Sequence, residues 1–412
     1  MNFEYFIARR IAAHKDYKSS ISAPIIKIAI LAISLGMITM LISVATSVGL
    51  QKKIKEKVSA FNGDLIITNF DTNNSDDSQV PISMQQDFYP NFTISDNVSH
   101  IQITASKGAV IRTQTDFEGV IVKGVGPDYN WSYFEDFLTQ GVLPTYTTPQ
   151  MSNQVLISEY LANRLGLKVG DKALAYFFNK NSSTPPRTRA FTISGLYNSG
   201  FQEFDAQFII GDIRHIQRLN KWEPDQIGAF ELFVKDFDFI EQTNNEVYDA
   251  IGSMLDTQTI RNRFYAIFEW LELFDFNVIL IIVMMIIVAG FNMITALLVL
   301  ILERTKMIGV LKALGSDNWS VRKIFIYNAM YLVGVGLFWG NIIGIGLLLL
   351  QQHFNLFALD PNTYYVSQVP VYLHWSYIVA LNCGTLVLCF LILLIPSYII
   401  SKISPVKAIR FE

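Results

Sequence analysis

Four stretches of this chain carry no charged side chain, and they limit its fold more than any other feature. They are Ile28–Leu50 (23 residues), Val278–Leu302 (25), Ile324–Leu350 (27) and Tyr377–Ile400 (24). At about 1.5 Å rise per residue, a helix of any of these lengths crosses the roughly 30 Å hydrocarbon core of a bilayer. Buried helices of water-soluble proteins rarely stay free of charge for so long. The remaining composition agrees, with 51% hydrophobic against 16% charged residues in a chain of 412. The expected fold class is an α-helical membrane protein with four transmembrane helices and a large α+β domain between the first and second. The expected boundaries are a cytoplasmic amphipathic helix at 1–22, spans at 23–50, 276–302, 324–350 and 376–400, an outer domain at 51–270, a cytoplasmic loop at 303–323, an outer loop at 351–375 and a tail at 401–412.

Lysine and arginine counts in the short segments set the orientation. Arg9, Arg10, Lys15, Lys18 and Lys27 precede the first run, five basic residues lie in 303–323, and Lys402, Lys407 and Arg410 follow the last run. Gln351–Ser376 has no lysine or arginine. Both termini and the 303–323 loop are therefore expected in the cytoplasm. Lys52, Lys53, Lys55 and Lys57 break the rule locally, but they open a long segment, and long domains translocate largely regardless of charge. The first run is too long for a signal-peptide core, and reads as an uncleaved anchor. Before it, Phe3, Phe6, Ile7 and Ile11 recur at helical spacing among basic residues. That pattern suits a helix on the cytoplasmic membrane surface, with a disordered basic tail as the alternative.

The outer segment from Val58 to Asp275 has 15 basic and 28 acidic residues, a net of −13, which is unsuited to nucleic acid. Its pattern predicts strands at Asp64–Phe70, His100–Ile111, Phe117–Val125, Ala173–Phe178, Arg189–Ser194, Phe201–Asp212 and Ala229–Lys235. Gln154–Asp171 reads as a strand, a short helix and a glycine turn. Helices are expected at Ile213–Lys221 and Phe239–Ser253, and Gln51–Ala60 should extend the first span outward. Cys383 and Cys389 both lie in the last run, so no disulfide framework is available to the outer segment.

The chemistry-bearing motifs are few. No G-x-x-x-x-G-K-[ST] phosphate loop occurs. The five histidines are scattered, and none has a metal-ligand spacing or a nucleophile-elbow partner. No Asp, Glu, Lys or Arg falls inside the last three runs, which argues against an ion-coupled transporter. The expectation is a non-enzyme that binds no cofactor and draws its energy from a partner. Gly336, Gly340 and Gly344, four apart, make a small-residue ridge for close helix packing, within the chain or in a dimer. Between the second and third runs, Met307, Ile308, Leu311 and Leu314 fall at helical spacing among Glu303, Arg304, Lys306 and Lys312. They predict a short amphipathic helix closed by Gly315.

These residues resemble a known family. Asn292, Leu297, Glu303, Arg304, Ile308, Leu311, Lys312, Leu314 and Gly315 match the pattern N-x-x-x-x-L…E-[RK]-x-x-x-I-x-x-L-[KR]-x-[LM]-G. With Tyr364–Val371 and the tail bearing Pro396, Pro405, Ala408, Arg410 and Glu412, they are similar to the permeases of the FtsX-like and MacB-like (type VII) ABC transporters, most of all the lipoprotein-releasing LolC/LolE permeases. The resemblance implies mechanotransmission: a separate LolD-like ATPase, holding ATP and Mg, binds the 303–315 coupling helix, and the helices carry its movement to the outer domain. It implies a second permease copy or paralogue and a lipoprotein passed from the outer leaflet of the bacterial inner membrane to a periplasmic LolA-like carrier. It also implies a porter-like part with an inserted part at about 125–225. A carrier-binding loop would fall by position at Asn179–Arg189, with Pro185, Pro186, Arg187 and Arg189, although a plain solvated hairpin tip reads equally well. An FtsX-like regulator of cell-wall hydrolases and a MacB-like peptide or drug exporter are the alternatives.

Overall fold

The computed structural model describes residues 3–13, 22–72, 79–147, 150–178 and 185–403. Lys15, Lys18, most of the Asn179–Thr188 loop and the tail motif at Pro405, Ala408, Arg410 and Glu412 therefore lie outside the described residues. The chain divides into two bodies. One holds Met1–Gln51, Trp270–Ala358 and Val369–Glu412, and the other holds Lys52–Glu269 with Leu359–Gln368.

Helix α1 (Phe3–Ala13) carries Glu4, whose carboxylate accepts from Ser320 Oγ at 3.1 Å and lies 3.7 Å from Lys323 Nζ. Helix α2 runs unbroken from Ser22 to Asn62, well past the apolar run. It ends where Gly63 takes a left-handed φ of +67° and Asp64 enters the sheet. The Asp64 carboxylate accepts from Ser59 Oγ (2.5 Å) and Val234 N (2.8 Å), which fixes that turn.

The outer body is built on one mixed sheet, with short helices α3 (Ser132–Phe137), α4 (Glu159–Leu165), α5 (Gln202–Asp205), α6 (Ile213–Asn220), α7 (Ile240–Ala250) and α8 (Ile260–Arg263). Its strands are β1 (Leu65–Asn69), β3 (Val98–Arg112), β4 (Phe117–Val125), β5 (Leu138–Gly141), β6 (Gln154–Ser158), β7 (Lys172–Phe177), β8 (Arg187–Tyr197), β9 (Phe208–Asp212), β11 (Ala229–Val234) and β12 (Leu255–Thr259). A separate two-residue pair joins β2 (Ile82–Ser83) to β10 (Gln226–Ile227). The sheet order is β12-β1-β11-β3-β4-β9-β6-β8-β5, and β7 bridges β8 back to β3. Strands β3, β4, β9, β6, β8 and β7 thus close into a ring, with parallel pairs at β4/β9 and β6/β8. Closure removes the exposed edges that so long a β3 would otherwise present. Phe201–Asp205, expected as strand, is instead the helical turn α5 before β9, because Phe201 and Phe204 both turn into the core.

In the other body, α9 (Tyr265–Glu303), α10 (Thr305–Ala313), α11 (Asn318–Phe354), α13 (Trp375–Ser397) and α14 (Ile399–Lys402) complete the helices, with α12 (Pro361–Tyr364) on the outer-body strand of chain between α11 and α13. Among the described residues, four helices are long and apolar enough to cross a membrane, those containing the four charge-free runs. The glycine ridge is used within the chain. A Cβ added at Gly336 would stand 2.8 Å from Ile33, and one at Gly340 only 2.7 Å from Met37. Ser34 Oγ donates to Gly336 O at 2.8 Å across the same contact. Asn341 and Asn382 exchange amide hydrogen bonds of 2.8 and 3.0 Å, tying α11 to α13.

Candidate functional site

The predicted amphipathic segment forms α10. It breaks from α9 at Arg304, whose φ of −100° and ψ of 20° interrupt the helix. Its end is the glycine stop expected from sequence: Gly315 has a φ of +94°, and Ser316 N donates back to Leu311 O at 3.0 Å. The two sides of α10 differ. Ile308 is fully buried with Val321, Ile324 and Ile400, and Met307 and Leu311 pack partly against the same core. Lys312 Nζ donates to the carbonyl oxygens of Ile400 (2.7 Å) and Ile403 (2.9 Å) at the end of α14. Burial lowers its pKa. Lys312 therefore secures the last helix, a role that its sequence position did not suggest. The outward side carries Lys306, Val310 and Ala313, flanked by Glu303 at the end of α9 and by Leu314 just past α10, with Leu314 79% and Val310 49% exposed. Val310 and Leu314 are thus apolar side chains left uncovered on a charged helix.

Nearby, Asp317 caps α11 by accepting from Trp319 N and Ser320 N. Arg322 donates to Ser397 Oγ and Leu394 O and stacks over Trp319. The last turns of α13 and α14 are thereby held by two cations, Arg322 and Lys312, each at helix-terminal carbonyls where the dipole favours positive charge.

A second arrangement lies in the outer body, at the far end of α2. Phe61 sits among Phe134, Phe204, Phe208 and Tyr197, with ring centroids 4.9–5.8 Å away. Its carbonyl accepts from the Lys123 ammonium, which is 2% exposed and lies 2.6 Å from Glu231. Glu231 also accepts from Gln102 and Thr104. A buried pair of this kind is tolerated only when each polar atom has a partner, as here. Charge and aromatic packing together grip the helix end. Sequence reasoning missed this socket, since Lys123 and Glu231 are far apart in the chain and each looks like an ordinary strand residue.

The lysines that broke the charge rule have local roles. Lys53 pairs with Glu56 at 3.0 Å, Lys55 lies 4.7 Å over the Phe237 ring, and Lys57 Nζ donates to Tyr365 O at 3.0 Å. At the β7–β8 hairpin Pro185 and Pro186 are exposed. Arg187 instead turns back, donating to Leu219 O at 2.8 Å at the end of α6, and Arg189 donates to Thr188 O.

Two family models match the chain. That of the MacB-like periplasmic core domain covers residues 28–247, and that of the FtsX-like permease C-terminal region covers 279–405. Among curated proteins, the chain is 25% identical over 268 residues to the lipoprotein-releasing system transmembrane protein LolC of Haemophilus influenzae, covering 64% of this chain and 66% of that protein. It spans slightly less than two thirds of that relative's length. LolC of Neisseria meningitidis is 25% identical over 329 residues, or 74% of this chain and 77% of the relative. The lipoprotein-releasing system transmembrane protein LolE of Haemophilus influenzae is 21% identical over 425 aligned positions, 99% of both chains.

Proposed function

This chain belongs to the FtsX-like permeases with a MacB-like periplasmic core domain, and from that premise we propose that it is the membrane subunit of an ATP-driven complex that releases lipoproteins from the bacterial inner membrane. The observation that carries this reading is the alignment with LolE from end to end of both chains. In this reading the termini and α10 are cytoplasmic, and the large outer body is periplasmic, as the distribution of lysine and arginine supports. A separate LolD-like ATPase docks on the outward strip of α10, chiefly Lys306, Val310 and Leu314, while Ile308 and Lys312 anchor the helix from behind. Residues buried under α10 turn a push on the strip into movement of α11 and α14, which they touch. A second permease copy or paralogue completes the complex, and the outer body hands the lipoprotein to a periplasmic carrier. Pro185 and Pro186 stiffen the hairpin that would meet that carrier.

The energetics require a driven process. Withdrawing acyl chains from a bilayer costs about 0.8 kcal/mol per methylene, a barrier that coupling to nucleotide hydrolysis would overcome. Depleting this protein should leave lipoproteins in the inner membrane fraction. Normal sorting with a cell-separation defect would instead favour a regulator of cell-wall hydrolases, and drug hypersensitivity alone an exporter. Val310→Asp with Leu314→Asp should abolish copurification with the ATPase while the protein stays in the membrane; unchanged copurification would sink the docking assignment.

A further inference from the structure

The chain between α11 and α13 is not a simple hairpin. Leu359–Gln368 leaves the helical body and belongs to the outer one. It is internally braced: Leu359 N donates to Ser367 O (3.0 Å), and Tyr364 N to Asp360 O (3.0 Å). Tyr365 then takes a left-handed φ of +58°, unusual for a residue with a Cβ. Three features of the outer body meet this turn. The Tyr365 ring stacks on Phe201 with centroids 4.4 Å apart and planes 13° from parallel. The Tyr365 carbonyl accepts from Lys57 Nζ at 3.0 Å. Gly200, with a φ of +66°, leaves room for the Lys57 ammonium, which would lie 3.0 Å from an added Cβ. Val366, next in the chain, is buried. The charge of Lys57 is balanced by Asp205, whose carboxylate is in turn held by Ser199 Oγ at 2.6 Å. A cleft of about 590 Å³ opens beside the contact, with Lys57, Asp205, Pro361 and Ser367 on its walls.

We propose that Leu359–Gln368 is a strap, that Lys57 and Phe201 are positioning residues clipping it to the outer body, and that movement of α11 and α13 reaches the outer body through this clip. The outer body then receives motion by the strap as well as by α2 and α9, its other two covalent links to the helices. Lysine suits the task because a long stem with a compact ammonium reaches a backbone carbonyl without needing a specific partner side chain. A stacked aromatic pair adds a contact that resists shear. Without the clip, the ends of the strap could move with less of that movement passed to the outer body.

This inference rests on the proposed ATPase coupling, and its test keeps the two apart. The full chain, assembled with its ATPase in nanodiscs, is followed by hydrogen exchange with and without ATP. In the wild type, the strap amides should exchange as slowly as those of the outer sheet, and ATP should alter exchange in that sheet. In the Lys57→Met, Tyr365→Ala double variant, exchange over 359–368 should rise at least about tenfold. ATP hydrolysis should persist within about twofold, while the ATP-dependent response of the outer sheet falls well below that of the wild type. Tyr365→Phe, which keeps the ring and the carbonyl, should behave as the wild type. The clip is overturned if the wild-type strap already exchanges freely, or if the double variant keeps the full response to ATP. It is also overturned if wild-type hydrolysis proceeds with no response in the outer sheet. Failure of the chain to support any ATP hydrolysis would refute the coupling reading itself.

Discussion

At the scale of single residues, buried and half-buried charge marks the parts of the outer body that hold it together. Lys123 sits at the end of α2, and Lys57 and Asp205 sit at the strap. Burial raises the pKa of Asp205 to about 6, against the opposing pull of Ser199 hydrogen bonds and Lys57. Burial lowers Lys57 to about 8. The signs follow from linkage. The raised Asp205 pKa means that the folded chain holds the proton more tightly than the unfolded one. Its contribution is fully present below about pH 4 and is lost as pH rises through about 6. The depressed Lys57 pKa acts at the other end, its contribution being lost as pH falls through about 8. Asp205→Asn removes the first titration while keeping an acceptor for Ser199. Between pH 4.5 and 7.5 the stability of this variant should therefore gain on the wild type by on the order of 2 kcal/mol. Thermal unfolding of the full protein in detergent at both pH values measures the gap, and a gap that does not move would contradict the assignment. The sequence showed Lys57 only as an exception to a charge rule. Its partner is 308 residues away, so no local pattern could have revealed the bond.

Among the elements, α10 and the glycine ridge of α11 were legible before any fold was known. Periodicity placed an apolar face on α10, and Gly315 stopped it, because a left-handed residue without a Cβ ends a helix cheaply. Periodicity could not tell which residues of that face the chain itself covers. Ile308 and Leu314 look equivalent in sequence, yet one is buried and the other 79% exposed. The ridge is clearer still, since small residues four apart have one evident use. Gly340→Leu should lower the unfolding temperature of the solubilised protein and cost about 1–3 kcal/mol, because its side chain must enter space held by Met37 and the Ser34 carbonyl. Gly346→Ala on the same helix is the control, since an added Cβ there meets nothing within 4 Å. Equal effects of the two would mean that α2 and α11 do not pack as described. Alternation also located most strands of the outer body, including the β3–β4 pair. It failed at Phe201–Asp205, where Phe201 and Phe204, three residues apart, turn into the core on one turn of helix.

For the molecule as a whole, hydropathy decides the solvent. Four helices of 28 to 39 residues, each with a strongly apolar stretch, make extraction from a bilayer very costly. The chain should stay in the membrane pellet after an alkaline carbonate wash; release to the supernatant, as for a peripheral protein, would contradict a membrane-spanning arrangement. The sequence by itself determined this solvent, the helical segments, the α10 stop and the family, because each depends on local pattern or on residues close together in the chain. Only the tertiary structure decided which side of α10 is free, that Lys312 caps α14, that Phe61 and Lys123 anchor the end of α2, and that ten residues between α11 and α13 join the outer body. The physical reason is common to all four. A cation or aromatic ring is worth what surrounds it, and those surroundings come from residues tens to hundreds of positions away, brought together only when the chain has folded.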